Sequence, residues 1–357
     1  MHKALTTALV IFAALIAAAG AAVGAFSLRN LYWYRAGERA LRAAGAAERQ
    51  AVLPTGRVIN YGEIASAPDA PALLLIHGQM AAWEDYGTTM AALAESWHVY
   101  AVDVYGHGGS SHDAALYYLD VNGNDLIWFI DNIIAAPVVV CGHSNGAITA
   151  AYIAAYGGAR VKGAVLEDPP VFSTQGEGWQ DSFAYKDTYK PLHDYLACAQ
   201  EECWEAYYLR HCLWGRLYMA ESMPRIADYA QGYALRHPGE EVKLFFMPPS
   251  AMQVFHYVRD YDMRYGAHFY DLTWHNGVLE EELLADISVP CIYLHATESL
   301  AGDGTYLCAA SREQAMRAAE LIGAQCTLIE TGDSDHNIHG NHAKLYIDAV
   351  NRLFPED

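Results

Sequence analysis

The chain has 357 residues, of which 53% are hydrophobic and 18% are charged, so it is long enough and apolar enough to bury a large core. Its formal net charge is −20, although residues 1–56 carry six cations against only two anions. The acidic body would repel phosphates, which argues against a nucleic acid as partner.

The first segment, 1–28, is predicted to be a membrane helix. Residues Ala4 to Phe26 include no charged side chain, and at about 1.5 Å per residue a helix of this length crosses a bilayer core. A cleaved signal peptide, which would leave a secreted chain, is the alternative, because Lys3 precedes the run and Ala19-Gly20-Ala21 resembles a cleavage site. A buried helix of a soluble protein is a third interpretation. Five arginines follow the run closely and favour the anchor.

The side of the membrane stays open. The positive-inside rule would keep the body cytoplasmic, because the C-terminal flank of the run is the more basic one. Anchors of this kind nevertheless often export the domain that they carry. Residues 29–56 mix aromatic residues and arginines at helical spacing, and we interpret them as a juxtamembrane linker helix, either on the headgroups or in water.

From Arg57 onward, apolar runs predict strands that alternate with helices. The strands are expected at 57–61, 72–76, 98–102, 138–141, 161–166, 291–294 and 326–329, and the helices at 83–95, 125–134, 147–158, 312–322 and 342–353. This alternation predicts an α/β domain over 57–357 with a mostly parallel central sheet. The strands are nearly continuously apolar, as a sheet with helices on both faces requires.

The alternation stops between about 171 and 287. This segment is helical in pattern and dense in Tyr, Trp, His and Met, and strands resume after Pro290. We therefore predict a helical insertion into one sheet domain. Because it follows the strand predicted at 161–166, it is expected to cover the C-terminal ends of the strands as a lid.

The most informative stretch is Val138 to Gly146, which reads VVVCGHSNG. A β-branched run leads into Gly142-His143-Ser144-Asn145-Gly146, and an Ala-rich helical segment follows. Strand, Gly-x-Ser-x-Gly turn and helix together indicate a nucleophile elbow, in which a strained turn exposes the serine hydroxyl. Ser144 is the predicted nucleophile.

Several motifs in a fixed order resemble the α/β-hydrolase fold family. LLLIHGQ resembles its strand and oxyanion loop, DVYGHGGS a second loop, GHSNG its elbow, and Asp335-His336-Asn337-Ile338-His339 its late histidine loop. The resemblance spans about 57–354 and is weakest in the lid. It implies a serine hydrolase with a Ser-acid-His triad, a mostly parallel sheet with helices on both faces, and a helical lid.

His336 is the predicted general base, because it follows the last predicted strand and Ser144 needs a base within hydrogen-bond distance. His339 and His342 are alternatives in the same loop. The family often has glycine before this histidine, whereas Asp335 stands here.

The resemblance implies that the acid follows the strand that ends near His295. Asp303, followed by Gly304, is the expected acid, and Glu298 in the same loop is the alternative. Asp168 is a third candidate, although its place before two prolines favours a capping or hinge role. The acid would orient the histidine and stabilise its protonated form.

Two backbone N–H groups are expected to form the oxyanion hole, those of Gln79 and Asn145. No cofactor or metal is implied, since the chain has no His-Glu-x-x-His pattern and no G-x-G-x-x-G after its first strands. A disulfide among Cys198, Cys203 and Cys212 stays open, and the irregular spacing of the seven cysteines weakly favours reducing conditions.

An elbow serine favours acyl transfer to water. The predicted substrate is a small or lipid-like carboxylic ester, thioester or amide, since relatives that open epoxides use an elbow aspartate. A serine-dependent C–C bond hydrolase is one alternative, and a non-catalytic binding or scaffold protein on the same fold is another. The sequence does not indicate the oligomeric state.

Overall fold

A computed structural model describes residues 2–67, 69–176, 178–198, 201–247 and 249–354. It contains an eight-stranded sheet in the order β1-β2-β4-β3-β5-β6-β7-β8. The strands are β1 (Ala47–Val52), β2 (Val58–Ile64), β3 (Ala72–Ile76), β4 (His98–Val102), β5 (Val138–His143), β6 (Val161–Glu167), β7 (Cys291–His295) and β8 (Cys326–Glu330). β2 pairs antiparallel with both β1 and β4, and every other pair is parallel. The mostly parallel sheet is confirmed.

Fifteen α-helices occur in the described part of the chain. They are α1 (His2–Leu31), α2 (Arg35–Ala43), α3 (Gly87–Leu93), α4 (Leu119–Phe129), α5 (Asn145–Tyr156), α6 (Lys190–Ala197), α7 (Trp204–His211), α8 (Leu213–Met219), α9 (Met223–Arg236), α10 (Pro249–His256), α11 (Arg264–Tyr270), α12 (Glu280–Ala285), α13 (Arg312–Ile322), α14 (Ile338–Asn341) and α15 (Ala343–Asn351). Short 3₁₀ or π segments cover Trp83–Tyr86, Ala114–Leu116, Ile130–Ile134, Gly158–Arg160, Trp179–Asp181, Tyr185–Tyr189 and Val258–Asp260.

Strand β3 shows that helices cover both faces of the sheet. Leu74 and Ile76 belong to a core cluster that includes residues of α4, α5 and α13, whereas Leu73 and Leu75 face a second cluster with residues of α2, α3 and α15. All four side chains are fully buried. Alternate residues of a strand point to opposite faces, so a sheet covered on both sides needs this continuous apolar run.

The segment predicted as a linker, 29–56, differs from the expectation. It contains α2 and also β1, which pairs with β2 along its whole length from Ala47 opposite Glu63 to Val52 opposite Val58. The sheet therefore begins ten residues before the expected boundary at 57. β1 is an edge strand with the polar sequence AERQAV and exposed side chains, so it lacks the apolar pattern by which the other strands were predicted.

Helices α6 to α12 lie between β6 and β7. Part of this insertion has a core of its own, formed by residues of α7, α9 and α10. Its aromatic residues also join the main core, for example Tyr189, Tyr265 and Trp274. The thiols of Cys203 and Cys212 are free, so they are not joined in a disulfide.

Helix α1 stands apart from this core. The most apolar stretch of its segment Leu9–Leu31 has a mean hydropathy of 2.5, and none of that stretch is buried within the protein. Large apolar side chains are exposed along it, with Phe12 and Leu15 each 63% accessible. By length and composition it is the one described helix able to cross a membrane, and a helix of this kind can be an anchor or a signal sequence.

Candidate active site

Ser144 occupies a strained turn between β5 and α5. Its backbone has φ 55° and ψ −128°, which an L-residue rarely adopts. A Cβ added to Gly142 would lie 2.1 Å from the Gly146 carbonyl oxygen, and one added to Gly146 would lie 2.2 Å from that of His77. Only glycine fits at these two positions, so the G-x-S-x-G spacing produces the elbow.

His336 is paired with Asp168. Its Nδ1 lies 2.6 Å from Asp168 Oδ2, and the aspartate directly follows β6 with a fully buried side chain. The other carboxylate oxygen accepts a hydrogen bond from the Ala296 N–H at 3.1 Å and lies 3.4 Å from His295 Nδ1. Asp168 has φ 42°, an uncommon value for a residue other than glycine. This carboxylate is therefore held in one orientation from two sides.

The two partners shift each other's pKa. Burial raises the pKa of Asp168, but hydrogen bonds from His295 and His336 outweigh it, so the net pKa lies below its usual value. Burial lowers the pKa of His336, but the hydrogen bond and charge of Asp168 outweigh it and leave the net pKa above its usual value. The pair therefore combines an ionised carboxylate with an imidazole that is readily protonated.

The structure corrects the expected partner of His336. Asp303 is exposed, and its Oδ1 accepts a hydrogen bond from the Thr305 N–H at 3.0 Å within its own loop. Glu298 is also exposed and accepts from the Arg312 N–H at 2.7 Å. Neither carboxylate meets His336. Because β6 and β7 are adjacent parallel strands, their C-terminal ends lie side by side, and the sequence alone could not decide which strand would supply the acid.

The two alternative histidines have other environments. His339 is fully buried, and its backbone N–H and Nδ1 both bond to the Glu167 carboxylate, at 2.7 and 2.9 Å. Its Nε2 lies 3.5 Å from Asp85 Oδ2. Burial lowers the pKa of His339, but these carboxylates raise it to about 10. His342 is partly exposed, 3.8 Å from Asp333.

The loop expected to form the oxyanion hole lies directly against Ser144. A Cβ added to Gly78 would lie 3.0 Å from Ser144 Cβ. Gln79 follows Gly78, and Asn145 begins α5, whose first N–H groups have no partner within the helix. Gln79 lines the same cavity as Ser144, and Asn145 directly follows Ser144 in the chain.

Two tyrosines of the helical insertion, which the sequence did not single out, hold the side chains of Gln79 and Asn145. Gln79 Nε2 donates to the Tyr261 hydroxyl at 2.9 Å, and Asn145 Nδ2 donates to the Tyr265 hydroxyl at 2.7 Å. The only sequence signal for them was the density of tyrosine in the insertion, which does not distinguish these two from the others.

His77 braces the same loop. Its Nε2 accepts from the Val104 N–H at 3.2 Å, so its Nδ1 donates to the Gly78 carbonyl oxygen at 2.7 Å. Burial lowers the pKa of His77, which keeps the ring neutral in this arrangement. These contacts give His77 a structural role in the loop.

A cavity of about 1260 Å³ opens beside Ser144. Ser144, Asp168, His336 and Gln79 line it. The helical insertion contributes aromatic side chains, namely Phe183, Tyr189, Tyr208, Trp214, Tyr218, Phe255 and Tyr257. Such a cavity suits a largely apolar ligand with a few polar groups near the serine.

Comparisons with known proteins agree with this architecture. Residues 73–349 match the sequence model of the alpha/beta hydrolase family. The chain is 35% identical over 95 residues to epoxide hydrolase A of Mycobacterium tuberculosis, covering 26% of this chain and 28% of that protein. It is 29% identical over 127 residues to pimeloyl-(acyl-carrier protein) methyl ester esterase of Nitrosospira multiformis, covering 35% and 48%. The matches thus span less than half of either relative.

Among solved structures, the fold is similar to that of a membrane phospholipase A described as a bacterial virulence factor. The match covers 97% of this chain and 97% of the phospholipase chain. The TM-score is 0.62 and the sequence identity is 18%. At that identity the likeness concerns the fold alone.

Proposed function

This chain belongs to the alpha/beta hydrolase family, and on that premise we propose that it is a serine hydrolase with Ser144 as nucleophile, His336 as base and Asp168 as acid. Its relatives include esterases and other hydrolases, which supports a hydrolase in general. The finer assignment depends on one observation. His336 and Asp168 are joined by a hydrogen bond of 2.6 Å, and both line the same cavity as the strained Ser144.

The reaction proposed is hydrolysis of an ester in two steps. Nε2 of His336 takes the proton of the Ser144 hydroxyl as Oγ attacks the carbonyl carbon. Asp168 accepts the Nδ1 proton in a hydrogen bond and stabilises the imidazolium. His336 then gives its proton to the leaving alcohol as the C–O bond breaks, which leaves an acyl-serine. A water molecule then attacks the acyl-serine with His336 as base, and the carboxylic acid product is released as Ser144 regains its proton.

The N–H groups of Gln79 and Asn145 would stabilise the negative oxygen of each tetrahedral intermediate. Loss of one such donor typically costs about 10²–10³ in rate. Tyr261 and Tyr265 would keep these residues in place by holding their side chains. These two hydrogen bonds connect the lid to the oxyanion loop and to the start of α5.

The substrate proposed is a carboxylic ester with an apolar, small or lipid-like acyl group. The aromatic lining supports this choice, because most of the cavity surface is apolar. Epoxide opening is not proposed in spite of the epoxide hydrolase relative, since the elbow residue is Ser144 rather than an aspartate.

We also propose that α1 anchors the enzyme in a membrane. Its exposed apolar side chains would otherwise face water, which is unfavourable over so large a surface. A full-length chain recovered in the soluble fraction without detergent would contradict the anchor.

Hydrolysis of a soluble short-chain ester, p-nitrophenyl butyrate, tests the enzyme assignment. Ser144→Ala should lower kcat on the order of 10⁶-fold, because the nucleophile is lost. Ser222→Ala is the matched control, since Ser222 is exposed in the lid and outside the cavity lining. A Ser144→Ala protein that retains the wild-type rate would exclude the proposed mechanism.

A further inference from the structure

The cavity wall includes residues that directly follow the exposed apolar helix. Trp33, Tyr34, Ala36, Gly37 and Glu38 line the same cavity as Ser144 and His336. α1 ends at Leu31 and α2 begins at Arg35. A segment that would merely tether a domain has no reason to form part of its active-site cavity.

Helix α2 is fixed to the catalytic domain. A Cβ added to Gly87 would lie 2.7 Å from the Gly37 Cα, so α2 and α3 touch through their backbones. Leu41 of α2 is 4% exposed and packs in a core cluster with Trp83 and Met90. This contact holds the juxtamembrane part of the cavity wall rigidly relative to Ser144.

The turn between α1 and α2 is fixed to the lid as well. The Tyr34 ring stacks on His256 of α10 with centroids 4.3 Å apart, and the Trp33 ring meets the same histidine edge-on at 5.6 Å. His256 Nδ1 lies 3.0 Å from Glu241 Oε2. The segment that follows α1 is thus packed against α3 on one side of the cavity and against α10 on the other.

Basic side chains pack on an aromatic ring at this turn. The guanidinium of Arg35 lies 3.9 Å from the centre of the Tyr32 ring, and Lys243 Nζ of the lid lies 5.9 Å from it. Phe245, two residues after Lys243, is 42% exposed. Tyr218, which lines the cavity, is 58% exposed. Tyr, Trp and basic residues are favoured at the headgroup level of a bilayer.

The chain length limits how far this part of the cavity can lie from lipid. Trp33 to Glu38 follow Leu31 by two to seven residues. At about 1.5 Å per helical residue, this corresponds to roughly 10 Å or less. The headgroup region on each side of a bilayer is about 5–7 Å thick. If α1 spans the membrane, the juxtamembrane cavity wall lies at or next to the headgroups.

We propose that the enzyme takes its substrate directly from the bilayer that holds α1. The substrate class is a membrane-resident ester with a long acyl chain, which enters past Trp33–Glu38 and reaches Ser144 without crossing bulk water. This inference rests on the proposed serine hydrolase and on the anchor. It makes the juxtamembrane segment part of the substrate path.

Proteoliposomes distinguish this route from one through water. Full-length protein is placed in phosphatidylcholine vesicles, and 4-methylumbelliferyl oleate is added either to the same vesicles or to separate ones. Hydrolysis in the same vesicle should be faster by about tenfold or more, because the membrane supplies a high local concentration. Equal rates in the two arrangements would overturn the proposal.

A pair of substitutions on α2 tests the path itself. Ala36 is exposed and lines the cavity, whereas Ala43 is exposed on the same helix, two turns later, and does not line it. Ala36→Trp should lower the ratio of same-vesicle oleate hydrolysis to p-nitrophenyl butyrate hydrolysis by about tenfold. Ala43→Trp should leave both rates as in the wild type. An unchanged ratio in Ala36→Trp would contradict the assigned path.

The outcomes separate this inference from the proposed function. A wild-type protein that hydrolyses p-nitrophenyl butyrate but shows no preference for the same vesicle remains a serine hydrolase and loses only the membrane route. If the folded wild-type protein hydrolyses neither ester, the proposed function is wrong, and the membrane route is wrong with it.

Discussion

The hydrogen bond from His336 Nδ1 to Asp168 Oδ2, 2.6 Å long, joins the loop after β8 to the end of β6. The preceding residue, Glu167, bonds to His339 of α14, which directly follows that loop. Two consecutive carboxylates at one strand end thus hold two histidines that lie three residues apart. The first pair belongs to the proposed triad, and the second is buried beneath it.

Replacing the acid should separate Asp168 from Asp303. Asp168→Asn should lower kcat for p-nitrophenyl butyrate by about 10³–10⁴, because an amide no longer stabilises the imidazolium and favours the wrong tautomer. Asp303→Asn should behave as the wild type, since that carboxylate is exposed and bonds within its own loop. Steady-state kinetics would measure both. Loss of activity in Asp303→Asn alone would contradict the assignment.

The reaction of Ser144 should depend on pH through His336. The base acts only when neutral, and Asp168 holds its pKa above the ordinary value of about 6.5. Reactivity should therefore fall on acidification with a midpoint above about 6.5. In Asp168→Asn the midpoint should move to lower pH. The rate of fluorophosphonate labelling between about pH 5 and pH 9 would reveal both midpoints. If the midpoint is the same in Asp168→Asn as in the wild type, the Asp168 carboxylate does not determine the pKa of His336.

The buried pair of Glu167 and His339 should stabilise the fold most strongly at lower pH. The pKa of His339 is raised to about 10 in the folded state, against about 6.5 when unfolded. Its contribution is complete below about pH 6.5 and is lost as the pH rises through about 10. Glu167→Gln should cost about 3 kcal/mol near neutral pH, because it removes one partner of a buried charge.

Thermal unfolding at several pH values would test this pair. The difference in Tm between wild type and Glu167→Gln should shrink as the pH approaches about 10. His342→Gln is the control, since His342 is partly exposed, and it should follow the wild type. A difference that grows with pH would refute the predicted protonation of His339.

The elbow should not accept a side chain at Gly146. The Cβ of Gly146→Ala would lie 2.2 Å from the His77 carbonyl oxygen, which is backbone and cannot move cheaply. We expect a loss of about 3 kcal/mol in stability together with loss of labelling at Ser144. Gly302→Ala provides the control, because an added Cβ there meets nothing within 4 Å. Unimpaired stability and labelling in Gly146→Ala would mean that the turn is not as tight as described.

The sequence predicts most of the sheet because buried parallel strands have a distinctive pattern. β3 and β4 begin and end where their apolar runs do, and the Ser311-x-x-Gln314 capping box marks the start of α13. The elbow was predictable for a related reason, since steric crowding makes glycine necessary at 142 and 146. These features depend on local chemistry, which a sequence displays.

The features that the sequence did not predict depend on tertiary contacts. β1 is polar because one side of it faces solvent, and only pairing with β2 makes it a strand. The partner of His336 is Asp168 because β6 and β7 end side by side, a proximity that chain order does not reveal. Tyr261 and Tyr265 contact Gln79 and Asn145 only once the insertion has folded against the sheet domain.

Covalent labelling of Ser144 tests the central claim most directly. Full-length protein in detergent would be treated with a fluorophosphonate, and the modified peptide would be identified by mass spectrometry, with heat-denatured protein as control. We predict one adduct on Ser144 of the folded protein, strongly reduced in His336→Ala and absent from the denatured sample. A folded protein that carries no adduct, or carries it on another residue, would contradict the proposed serine hydrolase.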